Sequence, residues 1–190
     1  MKPVLTIRNI SIAMVTLMAL VTFVFIVLNV RLSKRVFDAP SPNPYLHFVI
    51  YDELPYQPEE TRSLAVTEGK KFFDEGMKSY VRKDYAGAIR SLKQAVRTES
   101  QDEWWLYLGV SYFMNHETAS AINALEKADT LSPLKLKTPA RWYLAQAYLV
   151  DRKIDRAKPL LESIVASKNE RSALADSLLA QIRAVAVRKR

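Results

Sequence analysis

Small residues recur at a fixed interval along this chain. Gly76 and Gly109 lie 33 positions apart, and so do Ala88 and Ala121; from Ala121 to Ala157 the step is 36. A period near 34 residues accommodates two helices and two turns. One such unit cannot bury its apolar face alone, so successive units must stack into a shared core. The surrounding residues read as helices. Trp105, Leu108 and Tyr112 fall at i, i+3 and i+7 and predict one buried stripe. Gly109 lacks a side chain, so a second helix can approach closely there. Ala121 and Ala128 are small on the facing helix for the same reason, and Pro133 marks the stop beyond it.

Trp105-x-x-Leu108-Gly109-x-x-Tyr112, followed by Ala121-x-x-x-Leu125, Ala128 and Pro133, resembles the tetratricopeptide (TPR) signature. Leucine stands where an aromatic is commoner in the second helix. Before this unit, Gly76 and Tyr80 lead to Asp84, Tyr85, Ala88, Leu92 and Ala95. After it, Leu144, Ala145 and Tyr148 lead to Ile154, Ala157 and Leu161. Ile164 replaces the second-helix alanine there, and Trp142 stands one place later than Trp105 does. The longer step into this unit is expected to extend the loop over 131–139. The resemblance runs from about Phe72 to Val165. It implies an all-α chain: a right-handed α-solenoid of about three TPR helical hairpins over 59–169, closed by a C-terminal capping helix and basic tail over 170–190.

Members of this family bind partners on the concave face formed by first helices. The resemblance therefore implies a protein-binding groove. Phe73, Met77, Tyr80 and Val81 come from the first unit, and Leu106, Val110, Phe113 and Met114 from the second. Trp142, Gln146 and Leu149 come from the third. The carboxylate-clamp version of the groove needs Lys, Asn and Arg, whereas these positions are mostly apolar or aromatic. A charged peptide terminus is then a poor ligand. An apolar helix or extended segment is a better one, each buried contact contributing about 1–3 kcal/mol.

The N-terminal part reads differently. From Ile10 to Val30 there is no charged residue. At 1.5 Å per residue that run reaches about 30 Å, the thickness of a bilayer's hydrocarbon core. It is longer than the apolar core of a cleaved signal peptide. The expectation is a tail over 1–9, one transmembrane helix over 10–30, and a juxtamembrane connector over 31–58. This places the chain as a single-pass protein of a bacterial inner membrane. Basic residues flank the run on both sides, so the positive-inside rule does not separate the two orientations. The short tail is the simpler part to leave inside, which puts the soluble domain on the extracytoplasmic side. The layout resembles bacterial single-pass anchored TPR proteins. It is also similar to the anchored repeat region of some anti-sigma-factor-like proteins, although no cysteine is present to build their zinc-binding domain.

Within the connector, Pro40, Pro42 and Pro44 favour an extended chain. The stretch from Tyr45 to Tyr51 is too hydrophobic for a plain linker. Two readings stay open. It packs on the domain or a membrane interface, or it docks inside the groove as an internal ligand.

The remaining composition removes whole classes of chemistry. With no cysteine there are no disulfides, zinc–thiolate sites, iron–sulfur clusters or thiol nucleophiles. Four glycines leave no phosphate-binding loop, and no G-x-S-x-G motif occurs. His47 and His116 stand alone, without metal-ligand spacing. The net charge is +8, half of it carried by the residues up to Pro40, with no arginine-rich stripe for nucleic acid. No cofactor, metal, nucleic acid or small-molecule substrate is expected, and no catalysis. The expected function is a membrane-anchored scaffold, an adaptor or assembly factor binding an apolar segment. Its partners are proteins in or at the membrane, and the bilayer itself through Ile10 to Val30. A permanent structural subunit of a multiprotein membrane complex is the alternative, and an anti-sigma-like signalling regulator a lesser one.

Overall fold

The computed structural model describes residues 43–56, 67–132 and 134–188, together with Met18, Leu20, Thr22, Val24 and Phe25. The chain divides into two compact units, Met1–Pro42 and Asn43–Arg190. In the second, a 3-10 turn at Leu46–Phe48 precedes α1 (Glu68–Val81), α2 (Tyr85–Thr98), α3 (Asp102–Met114) and α4 (Thr118–Leu131). Then come α5 (Leu134–Val150), α6 (Ile154–Ala166) and α7 (Ser172–Arg188). The helices pair as α1 with α2, α3 with α4 and α5 with α6. Each pair stacks on the next, α3 also touches α5, and α7 closes the stack against α6.

Local chemistry sets the helix ends. Thr67 Oγ1 accepts from the Lys70 N–H at 3.2 Å, and the Asp84 carboxylate accepts from the Gly87 N–H at 2.9 Å. Both are side-chain N-caps. Each hairpin turns through a residue in the left-handed region: Lys83 at φ 62°, His116 at 60° and Arg152 at 60°. The following N–H reaches back five residues in each case. Asp84 N–H bonds Ser79 O at 3.0 Å, Glu117 bonds Tyr112 O at 2.9 Å, and Lys153 bonds Tyr148 O at 2.8 Å. This is the Schellman ending, built three times without glycine.

The small residues sit where helices meet. A Cβ on Gly76 would lie 2.7 Å from Leu92 Cγ, and one on Gly109 would lie 2.6 Å from Leu125 Cγ. Ala88, Ala95, Ala121, Ala128, Ala145 and Ala157 are buried between helices, with Leu108, Leu125 and Tyr148 beside them. Ile164 is buried where the third unit lacks its alanine.

Three expectations need correction. The expected loop over 131–139 is mostly helix. Asp102, the first residue of α3, corresponds to Thr138, yet α5 already starts at Leu134. The extra residues add about one turn at its N-terminus, and Pro139 lies inside the helix. Pro133 itself lies outside the described residues. Second, Trp105 and Tyr112 are only half-buried. They flank an outer groove, while Leu108 between them is core.

The third correction concerns the membrane. Among the described residues no helix is long and apolar enough to cross one. Crossing takes about 20 consecutive apolar residues. Of Ile10 to Val30 only Met18, Leu20, Thr22, Val24 and Phe25 are described, and they are helical; the rest lies outside the described residues. Among the described residues the fold is an all-α helical stack, and none of its helices is long and apolar enough to be the expected transmembrane helix. The single-pass membrane localisation and the bilayer contact are withdrawn with it.

Candidate protein-binding groove

One face of α1, α3 and α5 is built from repeated positions. Phe73, Leu106 and Trp142 occupy the same place in successive units. So do Met77, Val110 and Gln146, and again Tyr80, Phe113 and Leu149. All nine side chains are buried. Met114 is half-buried at the rim, whereas Val81 points outward and is 63% exposed.

Residues 43–56 lie across this face and cross the units in reverse order. Asn43 Nδ2 donates to the carbonyls of Leu149 and Val150 at 2.9 and 3.0 Å, capping the C-terminus of α5. The Ile50 N–H donates to Gln146 Oε1. The Tyr51 ring stacks on Phe113, centroids 4.7 Å apart and planes 14° apart, with the His116 ring at its edge. Further on, Tyr80 Oη both accepts from the Leu54 N–H at 2.9 Å and donates to its carbonyl at 3.1 Å. Tyr107 Oη donates to Pro55 O at 2.9 Å. The Tyr56 ring ends the segment, edge-on to Phe73 and Tyr107.

Charged groups hold the margins. Tyr85 Oη donates to Glu53, whose carboxylate also faces Lys83 Nζ at 3.2 Å. Arg171, just before α7, pairs with Asp52 at 3.2 Å, and its guanidinium lies over the rings of Trp142 and Tyr143. The phenols respond to this setting. Burial pushes the hydroxyls of Tyr80, Tyr107 and Tyr143 well above the usual phenol range. Burial, then the hydrogen bond to Glu53, raises Tyr85 to about 12. That same bond holds the Glu53 carboxyl below its ordinary value.

The two ends of the contact differ. At the Tyr80 and Tyr107 end the backbone groups of Leu54 and Pro55 are met by hydroxyls. Where the segment crosses α5, three buried polar atoms have no hydrogen-bond partner among the described residues: Asp52 Oδ1, Trp142 Nε1 and Gln146 Nε2. Each such atom costs about 1–3 kcal/mol.

Sequence reasoning named Phe73, Met77, Tyr80, Leu106, Val110, Phe113, Met114, Trp142, Gln146 and Leu149, and these line the face or its rim. It missed Tyr107, Tyr85 and Arg171. Tyr107 and Tyr143 recur at the 36-residue step, a signal hidden because their hydroxyls interrupt the apolar pattern. It also passed over Trp104, which is buried and stacks on Phe73 at 5.3 Å, in favour of its neighbour Trp105. Among the described residues no group of acidic or histidine side chains is placed to hold a metal.

A tetratricopeptide-repeat family model matches residues 112–182, from the last turn of α3 into α7. The match thus takes in the third unit and the closing helix. A solved chain from the "CopN-Scc3 complex" is similar to this one, with a TM-score of 0.50 at 19% identity. It covers 82% of this chain and 96% of that chain, a likeness of fold alone. No curated protein matches in sequence. Stacks of this kind typically serve as non-catalytic surfaces for binding proteins.

Proposed function

We propose that this chain is a non-catalytic adaptor or assembly factor whose first-helix groove takes an extended, aromatic-bearing segment of a partner. Its own residues 43–56 hold that place as an intramolecular competitor. The observation carrying this reading is how the segment is gripped. Gln146 and Tyr80 side chains take the backbone N–H groups of Ile50 and Leu54, while Phe113 offers a flat ring to Tyr51. Backbone recognition of this kind is indifferent to the ligand's own side chains. One aromatic stack then supplies the selectivity.

Energetics supports displacement over permanence. Ordering a backbone costs about 1–2 kcal/mol per residue, and the unpaired polar atoms at α5 subtract further. A tethered segment nevertheless competes at an effective concentration of about millimolar. Partners therefore bind only when they beat it, which sets a threshold.

A labelled synthetic peptide of residues 43–56 tests this. In the full chain, Ile50→Pro removes the N–H given to Gln146 and Tyr51→Ala removes the stack. The double variant should bind the peptide at least about tenfold more tightly than the unaltered chain. Equal, weak binding by both would leave the groove a closed core. The second reading, a permanent structural subunit of a larger assembly, would then gain, since Asn43 and Tyr107 tie the segment at both ends. The anti-sigma-like reading rested on the anchored layout and falls with it.

A further inference from the structure

The outer side of the stack carries a second feature that the groove of the first helices does not explain. Between α2 and α4 a depression of about 250 Å³ opens over Leu108 and Ala124. Trp105 and Tyr112 form one wall, and Lys93, Arg97 and Lys127 stand around it. Lys127 Nζ lies 4.8 Å from the centre of the Trp105 ring, whose indole N–H is already given to Ser100.

The next unit supplies an internal control. An equivalent depression lies between α4 and α6, over Leu144 and Leu160, with Tyr148 where the first has Tyr112. There the cations are paired within the chain, and Asp155 adds a further carboxylate to the lining. Arg156 pairs with Glu126 at 3.2 Å, and Arg141 pairs with Asp129 at 2.9 Å. Glu126 occupies the position that Lys93 holds one unit earlier. In the first depression, among the described residues, none of Lys93, Arg97 and Lys127 belongs to an ion pair. Three cations thus surround an apolar, aromatic floor, whereas the cations of the neighbouring depression are paired within the chain.

We infer that this depression is a second docking site, for an acidic peptide segment of a partner carrying one large apolar side chain. The floor receives that side chain, and the flanking carboxylates meet Lys93, Arg97 and Lys127. Asn123 at the edge has both a donor and an acceptor for peptide backbone. The arrangement is a local cluster of three, too short a track for a nucleic-acid backbone, which needs a stripe of phosphate contacts. The inference stands apart from the first-helix groove, because no residue of 43–56 lines this depression.

Fluorescence anisotropy on the full chain tests it. The probe is a labelled octapeptide with a central Leu-Phe flanked by Asp and Glu. The controls are its Asn/Gln analogue and a labelled thymidine oligonucleotide. Binding of the acidic peptide should fall at least about tenfold in Lys93→Glu/Arg97→Glu, and fall with added salt. It should be unchanged in Lys78→Glu, an exposed position of α1 outside the depression. Both charge positions lie on the surface of α2, and a matching thermal unfolding curve confirms that the variant folds. A milder Lys93→Ala should weaken binding in the same direction. Three results would overturn the inference: no binding, equal binding of the neutral analogue, or oligonucleotide binding that is the stronger and is what the charge reversal abolishes.

Discussion

At the scale of single residues, the backbone at the turns is the most telling detail. Lys168 stands at φ 51° after α6, exposed and in a region that disfavours a Cβ. Lys168→Gly should raise stability by about 1 kcal/mol in urea unfolding, the relief of strain outweighing the added freedom of the unfolded chain. Gly109 makes the opposite case. Its Cβ would fall 2.6 Å from Leu125 Cγ and 3.2 Å from the Leu125 backbone nitrogen. Gly109→Ala should therefore cost about 2 kcal/mol by overpacking. Adding Leu125→Ala should cost less than the sum of the single changes, because the two share one space. Urea unfolding of the three variants measures both effects. This close approach was legible in the sequence, since a glycine and a leucine keep the same 16-residue offset in two units, Gly76 with Leu92 and Gly109 with Leu125. The outward turn of Trp105 was not legible. Adjacent tryptophans at 104 and 105 both fit a helix stripe, and only the position of α1 decides that Trp104 goes in.

At the scale of elements, the hairpins share a plan but not their caps. Asp84 caps α2 through Gly87, and a Cβ on Gly87 would run into that carboxylate. At the start of α4 the equivalent residue, Glu117, makes no side-chain cap bond. Asp84→Ala should cost about 1 kcal/mol, and Glu117→Ala only a few tenths, as read from thermal unfolding. Helix boundaries were the weakest part of the sequence reading. Pro139 looked like the end of a loop, yet a proline near a helix start removes few bonds, and the chain gained a turn there instead. Residues 43–56 were legible in composition but not in register. Nothing local in residues 43–56 says that Ile50 would meet Gln146 or that Leu54 would meet Tyr80, because those pairings depend on two separate helices, α5 and α1.

At the scale of the whole stack, the phenols under the 43–56 segment make its seating depend on pH. Tyr80, Tyr85, Tyr107 and Tyr143 all have hydroxyls raised above the ordinary value of 10.0 in the folded chain. A group whose folded value is raised holds its neutral form. Its contribution to stability is complete below about pH 10 and declines as pH climbs toward and through the folded values. Stability should therefore decline from about pH 10 upward, with tyrosinate absorbance appearing later than in a denatured control. Glu53 behaves in the opposite sense. Its folded value lies below 4.5, so its contribution is present above that pH and is lost as pH falls. Urea midpoints collected between about pH 3 and 12 test both arms.

Residues 43–56 occupy the first-helix groove through their backbone. Hydrogen exchange at the amides of Ile50 and Leu54 in the full chain measures this most directly. Both should exchange at least about 100-fold more slowly than in the free peptide, yet faster than the core amides of α3, as expected of a segment that opens locally. Tyr80→Phe should selectively accelerate the Leu54 amide, since it removes the acceptor and leaves the ring packed. Exchange of both amides at the free-peptide rate in the unaltered chain would contradict the account.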